Sequence, residues 1–446
     1  MVDYMIKADT IIFCSEYNKP IDSNLLSSSH YKKIIFSNYK LEDDLFIKYD
    51  NLFDKYDSNI LLDLLYTYSK FNNSVDNLPC ELTHLILGDL FNNSVDNLPC
   101  KLTHLILGAS FNGSVDKLPC GLTYLIFGFS FNGYVDKLPQ KLSVLFFGHD
   151  FNNSVDKLPK YLTHLTFGNI FDNSVDKLPE NLIYLTFSTI FNNSIDNLPI
   201  NLTHLIFGTC FNKYVDNLPE NLTHLTFGSK FNKPVDNLPK NIIHLTFGYW
   251  FNYQVDNLPE QLTYLTFGYY FNQSVDNLPY NLIHLTFNNK FNQSIDNLPK
   301  QLIYLTFGKD FNQPINNLPY NLTHLTFGQN FNSHVNLSFN IKYLKLNCNN
   351  QYLIDFLPDN IEELELDEFF DLELNNIPSS IKKIIFNTES YYNKELNCLP
   401  NFVELIQLPI KYNKKILKIP KELKKIICFQ DYKFIKDFND YLIETY

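Results

Sequence analysis

The sequence predicts a solenoid, a stack of short coils that each add one strand to a parallel β-sheet. Thirteen units of twenty residues run from Phe71 to Asn330 without an insertion. Each unit is close to FNxxVDxLPxxLTHLTFGxx, and the segment FNNSVDNLPC occurs at both 71–80 and 91–100. So strict a register indicates identical stacked coils rather than separate globular domains. Coil positions one to twenty are counted here from the Phe that begins each unit.

Six apolar columns supply the predicted core. Position one is Phe in every unit, position five is Val or Ile, and position eight is Leu. Positions twelve, fifteen and seventeen are also apolar, as in Leu82, Leu85 and Leu87. Each such side chain contributes roughly 1.5–3 kcal/mol when it is fully buried. Six of them per coil can fill a narrow core.

The spacing of Leu222, Leu225 and Phe227 predicts one short strand in each coil. Leu225 and Phe227 are two residues apart, so on a strand they point to the same face, while His224 points to the other. Pro219 lacks the backbone donor that a helix interior or a central strand needs. The return path of each coil is therefore predicted to be extended or turn-like, with little or no helix.

Glycine marks the end of the predicted strand. Eleven of the fourteen glycines occupy position eighteen, where the exceptions are Ser188 and Asn288. Asn tolerates a positive φ better than most residues, so this column predicts a bend with a left-handed or crowded backbone.

The ends of the chain are degenerate copies of the middle. Leu357-Pro358 and Ile377-Pro378 continue the period, and Tyr17 to Asp22 resembles the start of a unit. Phe434, Phe438 and Leu442 stand at helical spacing. We therefore predict about 20 coils. Residues 1–70 are expected to form degenerate N-terminal repeats and a cap, with a possible helical insertion near 41–61. Residues 71–330 are expected to form the regular repeats, 331–428 degenerate repeats, and 429–446 a C-terminal helical cap.

Composition argues against several classes of partner. The formal charge is −12 and the chain contains no arginine, which disfavours a nucleic-acid-binding surface. The start resembles no signal peptide and no run of about 18 apolar residues follows, so no membrane association is expected. Eight cysteines without a CxxC pair suit reduced thiols. The expected location is the cytoplasm, or the host cytoplasm if the protein is viral.

Two stretches carry a family resemblance. FNKPVDNLPKNIIHLTFG at 231–248 and FNQPINNLPYNLTHLTFG at 311–328 resemble the FNIP repeat, which occurs in tandem arrays in social amoebae and in giant viruses that infect amoebae. The Leu-x-x-Leu-x-Phe core also resembles leucine-rich repeats. The resemblance implies a leucine-rich-repeat-like solenoid with its parallel sheet on the concave face and a protein-binding role. Some viral members are said to carry an F-box-like segment, but none can be matched here.

Three repeated columns were weighed as sites of chemistry. His at position fourteen, as in His204, His224 and His244, could take a metal, but Tyr and Val replace it in other units and favour an exposed ladder. The Asp column at position six could attract calcium, although turn hydrogen bonds and neighbouring Lys or Asn also explain it. Cys80, Cys100 and Cys120 could pair or bind a soft metal, or remain plain thiols. We predict no catalytic residue, resident metal or cofactor.

Variable positions are the better candidates for binding, because the core does not constrain them. Positions nineteen and twenty become aromatic in two adjacent units, and Glu363, Glu365 and Asp367 predict an acidic spot on the concave face. The function predicted is a non-enzymatic protein-binding scaffold. A repeat expansion with no dedicated partner and, more weakly, a substrate adaptor for ubiquitin ligation are the alternatives, and the partner and oligomeric state stay open. The candidate partner-binding residues are Tyr249, Trp250, Tyr253, Tyr269, Tyr270, His204, His224, His244, Glu363, Glu365 and Asp367.

Overall fold

The computed structural model describes residues 4–7, 9–22, 31–36 and 69–446. The predicted insertion near 41–61 therefore lies outside the described residues. The chain divides into two compact units. The first comprises residues 1–213 and 217–228, and the second comprises residues 214–216 and 229–446.

The first unit is a parallel sheet with one antiparallel strand at its beginning. Strand β1 runs antiparallel to β2, and β2 to β11 then follow one another in parallel, each paired with the next. The strands are β1 (Tyr4–Lys7), β2 (Thr10–Phe13), β3 (Lys33–Phe36), β4 (His84–Ile86), β5 (His104–Ile106), β6 (Tyr124–Ile126), β7 (Val144–Phe146), β8 (His164–Thr166), β9 (Tyr184–Thr186), β10 (His204–Ile206) and β11 (His224–Thr226).

The second unit continues the same plan with one strand per coil. Its strands are parallel and paired in chain order, and one short helix interrupts the return path. The elements are β12 (His244–Thr246), β13 (Tyr264–Thr266), β14 (His284–Thr286), β15 (Tyr304–Thr306), β16 (His324–Phe327), β17 (Tyr343–Leu346), α1 (Gln351–Asp355), β18 (Glu363–Leu366), β19 (Lys383–Phe386), β20 (Leu405–Gln407), β21 (Lys425–Cys428) and β22 (Ile443–Thr445).

This architecture confirms the predicted solenoid with one strand per coil. Leu225 and Phe227 point inward and are 0% and 3% exposed, as their two-residue spacing predicts. Within each unit, residues of a regular strand pair with the residues twenty positions later, as His204 does with His224. The degenerate repeats keep the parallel arrangement of one strand per coil, as the parallel pairing of Leu364 with Ile384 shows.

Two phenylalanine columns fill the centre of each coil. Phe151, at position one, is fully buried, and its ring stacks on Phe147 at 3.7 Å and on Phe171 of the next coil at 6.0 Å. The same contacts repeat along the regular units, for example between Phe267 and Phe271 at 3.7 Å. The aromatic stack runs along the axis of the coils and buries the largest side chains of each unit.

The glycines at position eighteen are required by a close backbone approach rather than by a positive φ. A Cβ placed on Gly148 would lie 1.8 Å from the carbonyl oxygen of Gly128 in the preceding coil. The predicted crowding is thus confirmed, whereas a left-handed backbone is not the reason for these glycines. Ser188 fits because its hydroxyl donates to the carbonyl of Phe171 and accepts from the N–H of Phe191.

Side chains at positions two and six connect neighbouring coils. The Oδ1 of Asn92 accepts the backbone N–H of Asn112 at 3.0 Å, and this bond recurs along the array. It begins with Asn18, which accepts from the N–H of Asn72 at 3.0 Å. At position six, Asp96 accepts from Lys117 of the next coil at 2.9 Å. These contacts give the Asp column a structural explanation.

No α-helix forms over the predicted C-terminal helical cap at 429–446. In its place are two single-turn 3-10 helices, Ile435–Asp437 and Asp440–Leu442, followed by β22. Phe438 has an extended backbone, with φ −106° and ψ 152°, which separates the two turns. The last residues instead pair with β21, because the open edge of the sheet offers backbone partners that a helix would leave unpaired.

Among the described residues, no helix has the length and apolar content that crossing a membrane requires.

Candidate functional site

The outward face of the strands differs along the first unit. Positions fourteen and sixteen point away from the core, yet Ile86, Ile106 and Ile126 are 3% exposed or less. Ile206 holds the same position in β10 and is 45% exposed. Solvent therefore reaches position sixteen at β10 but not at β4 to β6, where only the histidines of position fourteen are partly exposed.

Histidines of this column stack on one another and on the tyrosines that replace them, and Val144 interrupts the row of rings in the first unit. His204 stacks on His224 at 4.1 Å and on Tyr184 at 4.2 Å. In the second unit, His244 stacks on Tyr264 at 4.1 Å. Tyr therefore substitutes for His without breaking the stack, which fits an exposed ladder of flat rings better than a metal site that needs every nitrogen.

Hydrogen bonds set the imidazole orientation. The Oγ1 of Thr223 donates to the carbonyl of Thr203 at 3.1 Å. The same Oγ1 lies 2.9 Å from the Nδ1 of His224. A hydroxyl has a single hydrogen, so this assignment places the ring proton on Nδ1. Burial lowers the pKa of His224, and it lowers the pKa of His164 to about 4. Both shifts favour the neutral imidazole at these two positions.

The aromatic patch, defined as Tyr249, Trp250, Tyr269 and Tyr270, is the largest cluster of exposed rings among the predicted binding residues. Tyr249 stacks on Tyr269 at 4.7 Å, and Trp250 stacks on Tyr270 at 4.4 Å with an interplanar angle of 6°. Edge contacts at 5.4 Å and 4.9 Å join the two stacks within each coil. Trp250 remains 48% exposed and Tyr249 42% exposed. Solvent thus reaches the rings of Tyr249 and Trp250 most, whereas Tyr269 and Tyr270 are only partly exposed.

Backbone hydrogen bonds fix the aromatic patch in place. The patch lies on the turn edge, defined as coil positions nineteen and twenty. The N–H of Trp250 donates to the carbonyl of Ser229 at 2.9 Å, and the N–H of Tyr270 donates to that of Tyr249 at 3.0 Å. The N–H of Lys290 continues this ladder to Tyr269 at 2.9 Å. The rings therefore stand on an ordered backbone rather than on a free loop.

Tyr253 lies apart from the aromatic patch. It holds position three of its coil, is 40% exposed and lines a shallow surface cavity of about 410 Å³. The other lining residues are Pro234, Asp236, Asn252, Gln254 and Gln273.

The predicted acidic spot is occupied by lysines of the neighbouring strands. Glu363 lies 2.8 Å from Lys383, while Lys345 lies 2.6 Å from Glu365 and 3.4 Å from Asp367. Tyr343 also donates its hydroxyl hydrogen to Glu365. These three carboxylates therefore belong to a mixed charge network instead of an unpaired acidic surface. Any role in binding stays a prediction.

The three stacked cysteines Cys80, Cys100 and Cys120 are exposed and carry no disulfide. Within the described parts of the chain, no cluster of three or more His, Cys, Asp or Glu side chains has a geometry that could hold a metal ion.

The sequence identified the rings of the aromatic patch but missed its flanking charges. Lys230 and Lys290 hold position twenty in the coils directly before and after the patch. Their spacing of sixty residues is three coil steps, so the repeat period alone was a sufficient signal. The lysine partner of Glu363 could also have been predicted from the repeat period, since Lys383 follows it by twenty residues.

Comparison with known proteins agrees with this geometry. The FNIP repeat family matches six overlapping segments that together span residues 174–310. The giant-virus protein CroV588, whose structure is described as a novel circular leucine-rich-repeat protein, is 33% identical, with a TM-score of 0.79. That alignment covers 100% of this chain and 70% of CroV588.

YopM from Yersinia enterocolitica is similar in fold, with 18% identity and a TM-score of 0.51. The alignment covers 90% of this chain and 87% of YopM. No curated protein matches the chain.

Proposed function

The chain belongs to the FNIP-repeat family of leucine-rich-repeat proteins, and from this membership we propose that it is a non-enzymatic scaffold that binds another protein through its aromatic patch. The observation that carries the proposal is the ordered pair of stacks, Tyr249 on Tyr269 and Trp250 on Tyr270. Tyr and Trp are the residue types most enriched among the side chains that dominate binding energy at protein interfaces.

The rigidity of the turn edge supports this assignment. Large aromatic side chains lose little conformational entropy on binding when they are already held in place. The neighbouring rings restrict Trp250 and Tyr270 to one stacked arrangement, and their backbones are hydrogen bonded to the preceding coil. The patch is thus preorganised, in contrast with exposed tyrosines that stand alone, such as Tyr134 at 77% exposure.

The rival explanation is a repeat expansion without a dedicated partner. It treats the aromatic residues as neutral drift at positions that the core does not constrain. The two explanations differ in one expectation. If the aromatic patch is a binding surface, replacing it weakens partner binding, whereas replacing exposed tyrosines elsewhere does not. A cytoplasmic location, inferred from composition, accompanies the proposal as a prediction.

The test compares two quadruple variants of the full chain. One replaces the aromatic patch, and the matched control replaces four exposed tyrosines that lie elsewhere and have exposures of 54–77%. Each variant is immobilised, exposed to amoebal cytosol and washed, and the retained proteins are identified by mass spectrometry. The patch variant carries Tyr249→Ser, Trp250→Ser, Tyr269→Ser and Tyr270→Ser, and the control carries Tyr134→Ser, Tyr161→Ser, Tyr214→Ser and Tyr320→Ser.

The proposal expects a protein that the native chain and the control retain and the patch variant loses. The purified candidate should then bind the native chain at least tenfold more tightly than the patch variant, since single interface anchors contribute about 2 kcal/mol or more. Circular dichroism and thermal unfolding must show that both variants remain folded. Equal retention by all three chains, or no retention by any, would overturn the assignment and favour the rival explanation.

A further inference from the structure

The charges around the aromatic patch differ from those of the chain as a whole. The chain has a formal charge of −12. On the turn edge between residues 229 and 310, however, three lysines stand against one carboxylate. They are Lys230, Lys290 and Lys309, and the carboxylate is Asp310. The patch therefore lies in a locally basic stretch of an acidic protein.

The lysines are placed on both sides of the rings. Lys230 occupies position twenty one coil before Trp250, and Lys290 occupies it one coil after Tyr270. Lys290 binds Asp310 at 2.7 Å. That hydrogen bond, with smaller contributions from the phenols of Tyr269 and Tyr270, raises the pKa of Lys290, so its ammonium stays charged.

The carboxylates of these same coils are concentrated elsewhere. Position six carries Asp236, Asp256, Asp276 and Asp296, and their next-coil partners are neutral Asn amides, such as Asn277 on Asp256 at 3.1 Å. Acidic side chains thus gather at position six, and basic side chains flank the aromatic rings at positions nineteen and twenty. This separation of charge gives the turn edge a preferred sign of partner.

The stacking pattern also limits the chemistry that the patch can recognise. The ring faces pack on one another along the coil axis, so the inner faces of Trp250 and Tyr270 are occupied at 4.4 Å. Nucleobases on single strands are bound chiefly by stacking on open aromatic faces. The patch instead offers ring edges for apolar side chains and phenol hydroxyls for acceptors.

Resting on the proposed function, we propose that the partner presents an acidic peptide segment whose apolar side chains pack on the aromatic patch. Its carboxylates pair with Lys230 on one side and, in exchange for Asp310, with Lys290 on the other. Three coil steps separate the two lysines, which is about 14 Å at the usual spacing of neighbouring strands. An extended peptide spans that distance with about four residues. The expected motif therefore places acidic residues about four positions apart around an apolar centre.

Trp250 is the only tryptophan of the chain, so its emission reports directly on the patch. The full-length protein is titrated with the synthetic peptide EELFLEE and, separately, with the neutral QQLFLQQ, the basic KKLFLKK and a single-stranded oligonucleotide. None of the peptides contains tryptophan or tyrosine. The acidic peptide is expected to change the emission of Trp250 and to bind at least tenfold more tightly than the neutral and basic peptides, with weaker binding at high salt.

Two charge-reversal variants complete the test. Lys230→Glu with Lys290→Glu should weaken binding of EELFLEE at least tenfold and increase binding of KKLFLKK. The matched control is Lys240→Glu with Lys300→Glu. It changes the net charge by the same amount at position ten of two coils in the second compact unit, and it should retain binding. Both variants must give the same thermal unfolding transition as the native chain.

Several results would overturn the inference: no response to EELFLEE, equal binding of the three peptides, tighter binding of the oligonucleotide, or equal losses in the two charge-reversal variants. Its failure can be told apart from failure of the proposed function. If the patch variant loses a captured protein but EELFLEE does not bind, the scaffold assignment stands and the acidic partner is wrong. If neither effect occurs, both are wrong.

Discussion

The Oδ1 of Asn152 accepts the backbone N–H of Asp172 at 3.0 Å, and the side chain of Asp172 repeats this contact with the N–H of Asn192 at 3.0 Å. An amide and a carboxylate thus perform the same task in consecutive coils. The shared requirement is a short side chain with an acceptor oxygen. The ladder at position two therefore tolerates Asp in place of Asn.

This equivalence predicts the effect of substitutions at Asn152. Asn152→Leu removes the acceptor and should lower the free energy of unfolding by about 1 kcal/mol, the usual net value of such a hydrogen bond. Asn152→Asp keeps the acceptor and should cost less. Urea unfolding of the two variants measures the difference, and equal destabilisation would contradict the role of the acceptor.

Gly148 should tolerate a side chain poorly, although Ser188 and Asn288 hold the same position in two other coils. In Gly148→Ala the new Cβ would lie 1.8 Å from the oxygen of Gly128, so two coils must move apart. We expect a loss of about 3 kcal/mol or more, comparable to severe overpacking in a core. Thermal unfolding measures it.

Gly121→Ala is the matched control for that substitution. A Cβ on Gly121 would lie 3.4 Å from the oxygen of Cys100, which is ordinary contact. Its effect should stay within about 0.5 kcal/mol. A similar loss in both variants would show that glycine flexibility, and not coil spacing, governs position eighteen.

The half-buried His164 of β8 should make stability depend on pH. Burial lowers the pKa of His164 to about 4, below the value of about 6.5 expected in the unfolded chain. The unfolded state therefore binds more protons between these values, so this contribution to stability is fully present above pH 6.5 and is lost as the pH falls toward 4.

His164→Tyr tests this contribution, because Tyr184 already occupies the equivalent position in the next coil. The variant should lose about 1 kcal/mol of the pH dependence between pH 7.5 and pH 5, a value reduced for partial solvent exposure. Urea unfolding at both pH values gives the comparison. An unchanged pH dependence would mean that His164 titrates normally.

The thiols should separate into two classes of reactivity. Cys80, Cys100, Cys120 and Cys398 are exposed, whereas Cys348 and Cys428 are buried. Burial raises the pKa of Cys348 to about 12, which suppresses the reactive thiolate. A brief iodoacetamide treatment of the native protein should label the four exposed thiols and spare the two buried ones, with Cys14 and Cys210, which are partly exposed, reacting at intermediate rates.

Peptide mass spectrometry identifies the labelled residues, and the same treatment in denaturant should label all of them. Rapid labelling of Cys348 in the native protein would contradict its burial and indicate that the coils around β17 open readily.

Much of the fold was predictable because the repeat period carries three-dimensional information. The twenty-residue spacing fixes which side chains become neighbours, as His204 and His224 show, and the two-residue spacing of Leu225 and Phe227 fixes the strand. Strand β1 was not predicted, because the segment Tyr4–Lys7 repeats no column and pairs in the opposite sense.

Contacts that depend on competition between structures were harder to predict. The spacing of Phe434 and Phe438 fits a helix, but sequence spacing does not show that an open sheet edge competes for the same backbone. The aromatic patch was predicted as a set of exposed rings. Its stacking, and the lysines that neutralise Glu363 and Glu365, required comparison of side chains across coils.

The uniform phenylalanine column also makes the array modular at the level of the gene. Phe91, Phe111 and Phe131 occupy equivalent places and stack at 6.1–6.2 Å. Deleting or duplicating a twenty-residue segment, such as 91–110, joins the end of one repeat to the start of another. Every remaining phenylalanine then keeps an equivalent neighbour. Recombination between copies can therefore change the length of the scaffold in whole coils without passing through a misfolded ancestor.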